Sequence, residues 1–185
     1  MMYSTEHDQG ISNEHEPLEV LVKEYLEECS TDHLSDLESF YDPEGDGRTL
    51  FWAATARNRA GKKHPHQRRI SKATLEAGAS ALHAHIDELR LCTSFDQLHT
   101  LVRIVVDGIK GLGPLYVYDT ALRYGFSKGL LPEKVYLHRG TLLGAERLGL
   151  ETKVATLSLD ELPSELAILS PMDVEDFLCR YKKRF

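Results

Sequence analysis

Three observations predict an all-α fold. Apolar residues recur at helical spacing along most of the chain, helix-starting side chains stand directly before those stretches, and no segment sustains the period-two alternation of a half-buried strand. The expected architecture is a single multi-helix orthogonal bundle over residues 17–185, preceded by an acidic flexible tail over residues 1–16. With 185 residues, 42% of them hydrophobic, the chain can bury a sizeable core. Its longest apolar cluster is broken by Arg103, so it has no run of the ~20 residues that a membrane span needs.

The elements follow in order. After Pro17, residues Leu18, Leu21, Val22, Tyr25 and Leu26 make the stripe of an amphipathic helix, and Leu34, Leu37 and Phe40 make a shorter one. Proline and two glycines place a loop at 42–47, and Leu50 to Ala54 open a helix expected to close near Gly61. Ser71 caps a long helix reaching about Leu91, with Leu75, Ala79, Leu82, Ile86 and Leu89 on one side. Ser94 and Gln97 read as a reciprocal capping box before a helix that buries Phe95, Leu98, Val102 and Val105. A further helix starts at Pro114, carries Val117, Ala121 and Tyr124 inward, and is expected to end at Gly125 in a left-handed conformation. Residues 134–137 and 153–157 read as short extended pieces, with a helix beginning near Thr141. Ser158 to Glu161 form a second capping box, and Ser170 with Pro171 starts the last helix, which runs to about Lys183.

Charge is divided unevenly. Residues 1–46 carry 14 acidic side chains against Lys23 alone, whereas the remaining 139 carry 21 basic and 15 acidic, so the body is basic although the chain's net charge is −7. Residues 48–75 hold eight Lys and Arg and no acid, together with His64 and His66. Cys29, Cys92 and Cys179 lie far apart without ligand spacing and are expected to be reduced thiols. The polar, acidic start has no apolar signal segment, and a cytoplasmic location is the expectation.

The turn Gly108-Ile109-Lys110-Gly111-Leu112-Gly113-Pro114 is the strongest functional signal. Two glycines flanking Leu112 let several backbone N–H groups converge before a helix start, an arrangement that favours an anion such as phosphate. The expected nucleic-acid contacts are Lys110, Gly111, Leu112 and Gly113 of the turn with Arg57, Arg59, Lys62, Lys63, Arg68 and Arg69 of the basic segment, since guanidinium matches phosphate geometry.

The run Ile104-x-x-Asp107 through Pro114, followed by Val117 and Ala121, resembles the helix-hairpin-helix superfamily of DNA-binding proteins. That resemblance implies a helix-hairpin-helix at about residues 94–125 whose turn amides hold a DNA phosphate. The order of elements beyond it is similar to that of base-excision DNA glycosylases of the same superfamily. Their catalytic residues are not matched: Leu115 and Tyr116 stand where those enzymes carry a nucleophilic lysine, and residues 135–140 lack their aspartate. Residues 118–123 with 135–141 also resemble a group of bacterial proteins with no assigned activity, which adds no mechanism.

His64 and His66 are separated by Pro65 at i, i+2, which is not the helical i, i+4 pair of a zinc site, so no metal is expected there. His83 and His85 read as ordinary helix residues, Asp119 as the i, i+4 ion-pair partner of Arg123, and Tyr116, Tyr118, Tyr124 and Tyr136 as core. No catalytic residue and no cofactor is assigned. Three classes fit: a sequence-independent DNA-backbone binder, a protein-interaction module in which the glycine turn serves only packing, and a nucleic-acid enzyme acting through unrecognised residues.

Overall fold

A computed structural model describes residues 16–185. The flexible tail expected over residues 1–16 falls, except for Glu16, outside the described residues; Glu16 itself is bonded to Arg184 at 2.6 Å. Among the described residues the helices are α1 (Leu18–Glu28), α2 (Ser30–Glu38), α3 (Asp46–Thr55), α4 (Lys72–Ala84), α5 (Ile86–Leu91), α6 (Phe95–Val106), α7 (Pro114–Phe126), α8 (Arg139–Arg147) and α9 (Pro171–Tyr181). The two extended pieces pair as an antiparallel ribbon, β1 (Val135–Tyr136) with β2 (Thr156–Leu157), placing Val135 opposite Leu157. The fold is all-α, and no described helix is long and apolar enough to cross a membrane.

Two apolar cores meet at β1. The first joins α3, α4, α6 and α7 through residues such as Leu50, Leu82, Leu98, Val102 and Tyr124; the second joins α1 to α9 through Leu21, Tyr25, Phe177 and Leu178. Val135 belongs to the second core and its neighbour Tyr136 to the first. Each fully buried leucine in them contributes about 1.5–3 kcal/mol. Helix α7 is buried from Tyr116 through Gly125 on all its faces, so its polar residues Asp119, Thr120 and Arg123 are carried into the interior. The four tyrosines sit in the core as expected. Tyr116 Oη donates to the Ala54 carbonyl at 2.9 Å, and Tyr124 Oη donates to Asp46 at the same distance.

Several boundaries differ from expectation for local reasons. Helix α3 starts inside the expected 42–47 loop, at Asp46. It ends at Thr55 because buried Ala56 turns left-handed (φ 52°), after which the chain doubles back with Arg57 bridged to Lys63. Gly61 (φ 73°) therefore serves that hairpin turn and not a helix end. The long helix from Ser71 breaks at His85 into α4 and α5, with the His85 ring 2.9 Å from Glu88. Ser94 accepts from the Gln97 N–H as expected, but the Gln97 side chain accepts from the Thr93 N–H, so the box is completed one residue earlier. Gly125 lies inside α7, where a Cβ would meet the Leu130 carbonyl oxygen at 2.5 Å; the left-handed residue is Gly129 (φ 67°). The Ser158 box is present and starts a 3-10 turn over Leu159–Glu161.

Candidate functional site

The glycine turn forms as its sequence demands. Helix α6 ends at Val106, α7 begins at Pro114, and Gly108 (φ 81°) and Gly111 (φ 101°) take the left-handed backbone that L side chains resist. The Ile109 N–H bonds the Val106 carbonyl at 3.0 Å and the Leu112 N–H bonds the Ile109 carbonyl at 3.1 Å, which makes the loop a compact double turn. Gly108, Lys110, Gly111 and Gly113 are exposed, while the Leu112 side chain is buried and packs over Gly78. Leu112, expected among the phosphate contacts, therefore offers no side chain to a ligand, and its N–H is already taken by the Ile109 carbonyl. No side chain caps α7, and among the described residues the Leu115 and Tyr116 N–H groups reach no carbonyl.

The basic segment divides into two sets. Arg57 donates to the Gly61 carbonyl at 2.9 Å, and Lys63 donates to the Ile70 carbonyl at 2.5 Å, so both stabilise the hairpin and its exit. Lys72 pairs with Glu76. Arg59, Lys62, Arg68 and Arg69 are exposed. An apolar cavity of about 490 Å³ has His66, Gln67 and Ile70 on one wall and Gly111, Gly113 and Pro114 on another, so the turn lies beside the stretch that carries Arg68 and Arg69. Arg139, at the first position of α8, lines the same cavity; in the sequence it stands apart from any basic run, and no local signal marks it.

A second, polar cavity of about 540 Å³ opens where α2, the 58–66 hairpin, α7 and α9 converge. At its base Asp119 (α7) accepts from Gln67, has His66 Nδ1 at 3.0 Å, and pairs with Arg123 Nη2 at 3.4 Å. The expected Asp119–Arg123 ion pair is thus present, inside a larger cluster. Arg123 also donates to Gln67 Oε1 at 3.2 Å and stacks its guanidinium 4.5 Å over the Phe40 ring. Its Nη1 is buried without a partner among the described residues. Burial pushes the Asp119 carboxyl up, but Arg123 and the bonds from His66 and Gln67 outweigh it and hold the group well below the usual carboxylate range. The Asp119 hydrogen bond raises His66 against the effect of burial.

His64 completes the arrangement. Its Nδ1 accepts from the His66 backbone N–H at 3.3 Å, and its Nε2 lies 3.3 Å from Asp36 Oδ2, while the two imidazoles meet edge to face at 4.5 Å. One donor atom each from His64, His66 and Asp119 falls within 4.8 Å of the others. The i, i+2 spacing of the histidines argues against a helical zinc pair, but Pro65 opens a 3-10 turn and the third group comes from α7, 53 residues on. No local pattern displays that grouping. The same holds for Glu175 of α9, which pairs with His138 and accepts from Thr141 Oγ1 at 2.8 Å, bringing a carboxylate to the 135–141 stretch that lacks one in sequence.

In comparisons with protein-family models, curated proteins and solved structures, nothing matches this chain.

Proposed function

We propose that this protein binds DNA through its phosphate backbone, with the helix-hairpin-helix reading applied to α6, the 107–113 turn and α7. The observation that carries the reading is the exposed glycine turn, uncapped at the start of α7, set beside the stretch bearing the exposed Arg68 and Arg69. Backbone N–H groups at a helix start donate to phosphate oxygens, and adjacent guanidinium groups reinforce the contact. Lys110 and Arg139 extend the positive rim, and contacts of this kind meet phosphates and not base edges, so binding is largely independent of sequence.

Duplex binding measured against salt tests the reading. Affinity falls steeply as salt rises, and the double variant Arg68→Ala, Arg69→Ala lowers the slope by roughly one unit for each phosphate that is no longer neutralised. Gly113→Val weakens binding without unfolding the chain, because Gly113 sits at an ordinary backbone angle with no atom within 4 Å of its would-be Cβ. Abasic and damaged duplexes emerge without base excision or lyase cleavage. Absence of DNA binding at low salt defeats the proposal and leaves a protein partner as the better reading.

A further inference from the structure

We infer that the polar cavity holds one divalent first-row transition cation, of the zinc class, on His64, His66 and Asp119. Nitrogen and carboxylate donors from three positions suit such an ion, and two imidazoles with one carboxylate leave a coordination place for water or a ligand.

The groups behind the three donors are arranged as supports. The Asp36 carboxylate faces His64 Nε2, so the proton belongs on Nε2 and the lone pair on Nδ1, the atom that now takes only the weak bond from the His66 N–H. Asp119 receives Gln67, Arg123 and His66 all on Oδ2, and Oδ1 has no hydrogen bond among the described residues. One carboxylate oxygen is thereby anchored by the interior and the other is available to an ion, and with Nδ1 of His66 donating to Oδ2 the lone pair of that ring falls on Nε2. Arg123, on Oδ2, offsets part of the cost of burying the Asp119 charge. Asp32, Asp36 and Asp176 line the same cavity, as do Lys62, Lys63 and Arg180, of which Arg180 is paired with Asp176 at 2.6 Å, so selection of a cation falls to the three donor groups themselves.

The backbone reinforces the geometry. His64 and His66 are held by a short rigid turn, with Pro65 between them and the His64 N–H bonded to the Ala56 carbonyl at 2.8 Å. Their separation therefore changes little when the ion enters, which is the preorganisation a metal site needs.

Zinc and cobalt titration of the full chain, freed of metal by a chelator, provides the test, with stoichiometry by calorimetry and the ligand shell by X-ray absorption. The expected result is one ion per chain in a shell of nitrogen and oxygen without sulfur. His66→Gln, whose ring is partly exposed and whose loss spares the Asp119–Arg123 pair, abolishes binding, and Asp36→Asn weakens it by about 10- to 100-fold. A rise in unfolding temperature on adding zinc, present in the native chain and absent in His66→Gln, accompanies it. Sulfur in the shell, equal affinity in His66→Gln, or stabilisation by inorganic phosphate with no response to either metal overturns the inference.

Discussion

Asp119 and Arg123 show how much one residue depends on where its helix lies. Four residues apart on a surface helix they would be a pair worth a few tenths of a kcal/mol, but α7 is enclosed, and both are more than nine-tenths buried. Removing one partner leaves the other charge uncompensated in the interior. Arg123→Met is expected to destabilise the protein by about 3 kcal/mol, near the low end for a broken buried pair because His66 and Gln67 still bond Asp119. Urea unfolding checks it, and a change below about 1 kcal/mol contradicts it. His99 offers a second residue-level test. Its ring lies between Phe95 and Tyr136, and burial, followed by the charge of Arg103, pushes its pKa down from 6.5 to about 4. Between those values the unfolded chain takes up a proton that the folded chain refuses, so stability is lost as pH falls below 6.5. Allowing for solvent around the half-buried ring, the loss from pH 7 to pH 5 is about 1–2 kcal/mol greater in the native chain than in His99→Gln. Urea unfolding of both chains at the two pH values measures that difference; equal losses would contradict the assignment.

At the scale of elements, two glycines near helix ends have opposite roles. Gly144 of α8 rests against the backbone of Leu178 in α9, and a Cβ there would overlap the Leu178 carbonyl oxygen and come within 2.9 Å of its carbon. Backbone cannot step aside as a side chain can, so Gly144→Ala must separate the two helices, at about 2–3 kcal/mol. Gly113, before α7, has open space around it and changes stability by less than about 0.5 kcal/mol when replaced by alanine. Denaturant midpoints of the two variants give the comparison, and a harmless Gly144→Ala would mean that α8 and α9 are not so closely packed. Gly144 stands among ordinary helix formers, and nothing beside it in the sequence marks the close approach. The Gly111-Leu112-Gly113-Pro114 turn is the reverse case, since its glycines, apolar residue and proline specify a turn and a helix start without reference to any other part of the chain.

Across the whole molecule the two cores are tied by consecutive residues of β1, Val135 and Tyr136, and by α9, which gives Met172 to the first core and Phe177 and Leu178 to the second. A chain so joined is expected to unfold in one step. Phe177→Ala, a cavity in the second core, is expected to cost about 3–5 kcal/mol and to shift the transition seen by fluorescence of Trp52, the sole tryptophan, which lies on α3 beside the first core. If the Trp52 transition stayed in place while helical circular dichroism fell in two stages, the cores would be independent.

What the sequence determined by itself is local. Helical spacing, the serines before α4, α6 and α9, the prolines at the first positions of α7 and α9, and the glycine turn all act within a few residues, and each appears where its pattern stands. Tertiary structure decided the end of α3 at buried Ala56, the continuation of α7 through Gly125, and the distribution of the basic residues, of which Arg57 and Lys63 are spent on backbone carbonyls. It also assembled the polar cavity, because His64 and His66 meet Asp36 and Asp119 only after α2, the hairpin and α7 have packed. Periodicity and capping report interactions over one or two helical turns, whereas a site drawn from distant segments depends on packing that no short pattern encodes.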